Sequence, residues 1–137
     1  METLKNRLKR LEGLRLKPYV DTTGKLSIGF GRNLVGVGIS ESEADIMFAN
    51  DFDKAVNLYR FKIPEAVQRH CNTARVEVLI CMIFQMGLGG VLKFKRMLTA
   101  ISVGDFECAA VEMIDSLWGR QTPNRAHELA GIMRSGV

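Results

Sequence analysis

The 137-residue sequence predicts an α+β fold that is mainly α. A small glycine-rich antiparallel β lobe stands beside a larger helical lobe, and one long helix joins the two. Three observations predict this. Six of the thirteen glycines fall between Gly13 and Gly38, among alternating runs such as Lys25-Leu26-Ser27-Ile28. Most of the remaining chain repeats apolar residues at helical spacing. Between these textures stands Ser40-Glu41-Ser42-Glu43, a helix-start signature.

The elements follow in order. Leu4, Leu8 and Leu11 recur at helical spacing and predict a short amphipathic helix over 2–11 that ends at Gly13. Turn signals at Asp21-Thr22-Thr23-Gly24 and Gly29-Phe30-Gly31 then separate short strands. The Ser40 capping box opens a long helix near 41–60, with one stripe through Ala44, Met47, Phe48, Phe52, Ala55, Val56 and Tyr59. Pro64 opens a short helix. Residues 74–86 are apolar nearly all round, which predicts a buried central helix ended by Gly87, Gly89 and Gly90. Phe94, Met97, Leu98 and Ile101 form the next stripe. Phe106, Ala109, Ala110, Met113, Ile114 and Leu117 form another. Thr122-Pro123 reads as an N-cap with proline at the first helical position, starting a last helix that stops near Gly136.

The length fits one domain, 1–137, with 13–39 as the small β lobe and 40–60 as the inter-lobe helix. Residues 1–12 and 61–137 make the helical lobe, and a cleft between lobes suits a long substrate. Apolar residues at 47% and charged residues at 25% are ordinary for a globular chain. The net charge of +4 favours an anionic partner without choosing between nucleic acid, a wall polymer and a membrane surface. No RNP, helix-turn-helix or zinc pattern supports a nucleic-acid binder.

Cys71, Cys81 and Cys108 form no metal-ligand spacing with one another or with His70 and His127. They read as reduced, mostly buried thiols of a chain made in the cytosol. The N-terminus has no signal-peptide core, and the longest unbroken apolar run, Val78 to Phe84, is seven residues. A membrane span needs roughly 20. We therefore expect no export signal, no membrane span, no cofactor and no metal.

Two carboxylates carry the chemistry. Glu12 closes the first helix and Asp21 lies nine residues on, past a segment that must turn back. Glycosidic hydrolysis needs an acid to protonate the leaving oxygen and a second carboxylate to activate water or attack the sugar. Inverting enzymes separate the two by roughly 6.5–9.5 Å, leaving room for that water. Ser27 is a candidate second group on the water. As bare acids the same residues also read as a solvated helix-end charge and a turn-capping Asx.

The order E-x8-D-x5-S, set in EGLRLKPYVDTTGKLSIGFGRN, resembles the signature of phage-type lysozymes, glycoside hydrolase family 24, which are related to the T-even phage lysozyme. In that family Glu, Asp and usually Thr stand in an EG…Y.DT.G..TIG.G frame. Phe84-Gln85-Met86-Gly87 and Trp118 with Gln121-Thr122-Pro123-Asn124-Arg125-Ala126 resemble two further family segments, so the resemblance covers nearly the whole chain.

The resemblance implies a lysozyme-like fold and a monomeric, inverting muramidase. Its substrate would be bacterial peptidoglycan, cut at the β-1,4 bond between N-acetylmuramic acid and N-acetylglucosamine. Glu12 would be the general acid, with its pKa raised by burial. Asp21 and Ser27 would hold the water. Phe84 and Gln85 would line the cleft, although Phe84 also suits the core. Asn124 would reach the cleft or help cap the last helix, and Arg125 would orient Glu12 or serve as a structural ion pair. Trp118 reads as a core anchor rather than a sugar platform.

Ser27 departs from the commoner threonine. Arg32, where many relatives have His, is expected to pair with an acid of the small lobe. The short segment between Gly31 and Ser40 implies a minimal lobe and an open cleft. An endolysin would collect in the host cytoplasm and reach the wall through a separate holin's pore. The competing readings are a lytic transglycosylase, which would leave Asp21 and Ser27 idle, and a weakly active wall-binding or virion protein that keeps the fold.

Overall fold

A computed structural model describes residues 1–137 throughout. It is mainly helical with one small antiparallel sheet, the α+β architecture expected from the sequence. The elements are α1 (Leu4–Glu12), β1 (Arg15–Val20), β2 (Leu26–Gly29), β3 (Arg32–Asn33), α2 (Glu41–Lys62), α3 (Glu65–Gln68), α4 (Thr73–Leu92), α5 (Lys95–Ser102), α6 (Phe106–Ile114), α7 (Leu117–Gln121) and α8 (Pro123–Ser135). By their contacts they form two compact units, Met1–Met47 and Phe48–Val137.

In the first unit, α1 starts where the Thr3 side chain accepts from the Asn6 amide, and it stops at Gly13. The boundary observed at residue 47 groups α1 with the sheet, whereas the sequence reading gave residues 1–12 to the helical lobe. The reason is local: Lys9 lies over the Phe30 ring, 5.4 Å from its centroid, and Glu12 lies against Gly31.

The sheet order is β1-β2-β3. Its register shifts between the pairs Arg15↔Gly29 and Tyr19↔Ser27. Pro18 falls in that stretch, where a residue without an N–H is tolerated. At the entry to α2 the capping box forms as expected: the Glu43 amide donates to Ser40 Oγ at 3.2 Å, and the Ser40 amide donates to Glu43 Oε1 at 3.2 Å. Arg32 pairs with Glu43, its guanidinium 2.6 Å from Oε1, so its partner is an acid at the start of α2 and not one within the 13–39 lobe as expected.

All the buried apolar residues belong to the second unit. Val78, Leu79 and Met82 on α4, Met97 and Ile101 on α5, Met113 on α6 and Met133 on α8 are fully enclosed. Four of these are methionines, whose unbranched side chains fill the irregular gaps between short helices. The residues from 74 to 86 form a helix but are not buried all round, because Cys81 and Phe84 on α4 are exposed. Thus Cys81 is not the buried thiol expected, and Cys71 and Cys108 are only half-buried. The helix breaks at Gly87, at φ 78° and ψ 166°, then resumes to Leu92. Thr73–Leu92 is long and apolar enough to cross a membrane by length and composition alone. Here it gives one face to the core and packs against α8.

The stripe that ran through Leu117 is two helices. The chain breaks at Asp115-Ser116, where Ser116 Oγ accepts from the Gly119 amide at 2.9 Å. Gly119 has no room for a side chain, since a Cβ there would meet the Ile114 carbonyl oxygen at 2.3 Å. Leu117 is consequently exposed. Thr122 precedes Pro123 as expected, but its hydroxyl donates to the Trp118 carbonyl at 2.9 Å instead of capping α8. α8 ends at Gly136, whose left-handed φ of 78° closes the helix.

Candidate active site

Asp21 sits in the turn after β1, and its carboxylate organises that turn. Oδ1 accepts three hydrogen bonds: from the Thr23 amide at 2.9 Å, the Thr23 hydroxyl at 2.8 Å and the Lys25 amide at 2.8 Å. Oδ2 accepts none. The Lys25 amide, then the Thr23 hydroxyl, hold the Asp21 carboxyl below its ordinary value, with burial opposing them. The group is therefore poised as a carboxylate with one oxygen saturated and the other open to a further donor. The turn-capping Asx and the candidate base of the sequence reading are thus compatible descriptions of one side chain.

Ser27 joins the same network from β2. Its Oγ donates to the Lys25 carbonyl at 3.3 Å, and the Asp21 amide donates to that carbonyl at 2.9 Å. One backbone oxygen so ties both residues. Ser27 is 1% exposed.

Glu12 stands at the last turn of α1. A Cβ at Gly31 would meet Glu12 Oε2 at 2.8 Å, so the carboxylate occupies the space that the glycine leaves. Gly31 also has φ +77°, which disfavours any other residue. Glu12 is exposed and α1 buries none of its residues, where the acid role predicted burial.

The other candidates belong to the second unit. Phe84, Gln85 and Arg125 line one groove of about 690 Å³, with Phe48, Phe52 and Glu128. Phe84 packs on Phe48 with ring centroids 5.6 Å apart and is 45% exposed, which makes it a groove wall rather than core. Trp118 is the core anchor expected, 8% exposed and edge-on to Phe94. Its indole N–H donates to Gln85 Oε1 at 2.8 Å, so the Gln85 carbonyl is committed and its amide N–H groups remain to meet a ligand. Asn124 is exposed on the first turn of α8 and does not line this groove. No three His, Cys, Asp or Glu side chains converge in a way that would hold a metal ion.

The sequence reading missed Thr23. The signal was present in Asp21-Thr22-Thr23-Gly24, since a hydroxyl two residues after an Asx is placed to donate back to its carboxylate.

A family model described as phage lysozyme matches residues 9–135. The chain is 36% identical over 155 aligned positions to the pre-baseplate central spike protein Gp5 of Enterobacteria phage T4, covering 94% of this chain but only 27% of that protein. It is 28% identical to probable T4-type lysozyme 2 of Dictyostelium discoideum, over all of this chain and 96% of the relative. It is 25% identical to an endolysin of Acyrthosiphon pisum secondary endosymbiont phage 1, over 85% of this chain and 81% of the relative.

Proposed function

From the premise that this chain belongs to the phage lysozyme family, we propose that it is a peptidoglycan muramidase that hydrolyses the β-1,4 bond between N-acetylmuramic acid and N-acetylglucosamine with inversion. The observation that carries the proposal is the Asp21–Lys25–Ser27 network, which leaves Asp21 Oδ2 unsaturated while the Lys25 carbonyl ties the Asp21 amide to the buried Ser27 hydroxyl. A water donating one hydrogen to Oδ2 and the other to Ser27 Oγ turns its lone pair toward the sugar. Asp21 takes the proton as the oxygen attacks C1. Glu12 gives a proton to the departing oxygen from the opposite face, so the configuration at C1 inverts. In the second unit the free Gln85 amide would bind a sugar hydroxyl or N-acetyl oxygen.

In this reading the protein works on the bacterial wall as a monomer. It gathers in the host cytoplasm and reaches its substrate once a separate holin opens the membrane. The 36% identity to part of a phage spike protein favours one second reading, a lysozyme acting from the virion. Detection of the chain in washed particles would select that reading, and its confinement to the infected cell's lysate would select the first.

The chemistry is tested by mass spectrometry of fragments released from purified peptidoglycan. Reducing muramic acid ends are expected. Anhydro ends would identify a transglycosylase and leave Asp21 without its role, and no fragments from folded protein would identify a binding protein.

A further inference from the structure

We propose that Thr23 is a positioning residue for the reaction: its amide and hydroxyl pin Asp21 Oδ1 so that Oδ2 alone is presented to the attacking water. The inference rests on the assignment of Asp21 to that water. Its evidence is the geometry of one oxygen atom. Two of the three donors to Oδ1 come from Thr23, at 2.9 and 2.8 Å, and the third is the Lys25 amide at 2.8 Å. Three donors exhaust what a carboxylate oxygen accepts comfortably and fix the plane of the group about its Cβ–Cγ bond. A carboxylate free to rotate would present either oxygen in turn, and misplacement of a reacting group by about 1 Å costs on the order of a hundredfold in rate.

The frame D-T-x-G carries its threonine at Thr22, so the role of Thr23 does not come with the resemblance. The backbone donors survive any substitution that keeps the turn, which leaves the hydroxyl as the part the sequence chose at this position. The charged group whose field reaches the carboxylate is Lys25, on the same turn, and it acts in the same direction as the hydroxyl.

The test compares wild type with Thr23→Val, which keeps the shape and removes the donor, and with Thr23→Ser, which keeps the donor. Two readouts are taken on the full chain: the carboxyl titration of Asp21 by carbon NMR and the pH profile of peptidoglycan hydrolysis. In Thr23→Val the Asp21 titration is expected to move to higher pH, because a donor to the charged form is gone. The acidic limb of the rate profile should move with it, and kcat should fall roughly ten- to hundredfold while KM changes little. Thr23→Ser should restore all three.

An unmoved titration in folded Thr23→Val overturns the inference. So does a moved titration with an unmoved acidic limb in an enzyme that Asp21→Asn inactivates. A fully active Asp21→Asn overturns the assignment of Asp21 itself, and the role of Thr23 with it.

Discussion

Glu12 and Gly31 share one space: the carboxylate oxygen Oε2 stands 2.8 Å from where a side chain at residue 31 would begin. The turn between β2 and β3 thereby sets where the candidate acid lies. Gly31→Ala forces an L-residue into φ +77°, at a cost of roughly 1–3 kcal/mol. The clash itself costs less, since the end of a flexible side chain can swing away. Stability should fall modestly and activity steeply, approaching the loss in Glu12→Gln, which removes the transferable proton and should abolish cleavage without unfolding the chain. Urea denaturation and fragment release measure the two effects. An alanine variant that retains full activity would show that Glu12 does not act from this position.

Ser27 offers a sharper discrimination than its exposure alone suggests. Ser27→Ala removes a hydroxyl that donates to the Lys25 carbonyl, and that carbonyl keeps the Asp21 amide as a partner. The stability cost should therefore be about 1 kcal/mol. Activity should fall more than tenfold if the hydroxyl holds the water. Ser27→Thr keeps the hydroxyl and should stay within tenfold of wild type. Equal activity in serine and alanine proteins would remove Ser27 from the mechanism and leave it as a buried strut.

How much of this was legible in the sequence depended on what each pattern encodes. Caps and breakers are local chemistry, so the Ser40–Glu43 box, the stop at Gly13, the break at Gly87 and the end at Gly136 were all readable. An apolar run encodes burial but not its direction, and for that reason Cys81 was not foreseen on the exposed face of α4 and the run itself left Phe84 open between core and cleft. The false continuation through Leu117 has the same origin. A stripe of apolar residues outweighed Ser116 and Gly119, whose cap and lack of side chain end one helix and start another. At the site, spacing alone left Glu12 and Asp21 open to bland readings, and the roles proposed for Glu12, Asp21 and Ser27 come from the family resemblance of the E-x8-D-x5-S order. The Lys25 carbonyl that links two of them is a backbone atom and leaves no trace in residue identity.

Arg32 predicts a pH signature. Its guanidinium, helped by the Ser40 hydroxyl and amide, holds the Glu43 carboxyl at about 2, against an ordinary value of 4.5. A depressed folded pKa means that the unfolded chain binds the proton first. The pair's contribution is thus complete above about 4.5 and is lost as the pH falls toward about 2. Arg32→Gln should lower the thermal midpoint at pH 7. The gap to wild type should narrow below pH 4.5 and close near pH 2. A gap that persists unchanged at pH 2 would assign the loss to the contact of Arg32 with the Gly38 carbonyl rather than to the ion pair.

Tyr59 makes the opposite case, a polar group the fold encloses without satisfying. It is 6% exposed, and its hydroxyl has no hydrogen-bond partner. Burial, with a smaller effect from the Cys71 thiol nearby, pushes the phenol up to about 12. An unpaired buried hydroxyl costs its desolvation and returns nothing, so Tyr59→Phe should stabilise the chain by about 1 kcal/mol in urea at pH 8. The sign at high pH is separate. The unfolded phenol ionises near 10 while the folded one resists to about 12, so wild type loses stability across that interval and the phenylalanine variant does not. The advantage of Tyr59→Phe should accordingly grow between pH 10 and about 12. A variant less stable than wild type at pH 8 would mean that the hydroxyl bonds to the Cys71 thiol, and Cys71→Ala should then abolish the difference between Tyr and Phe at position 59.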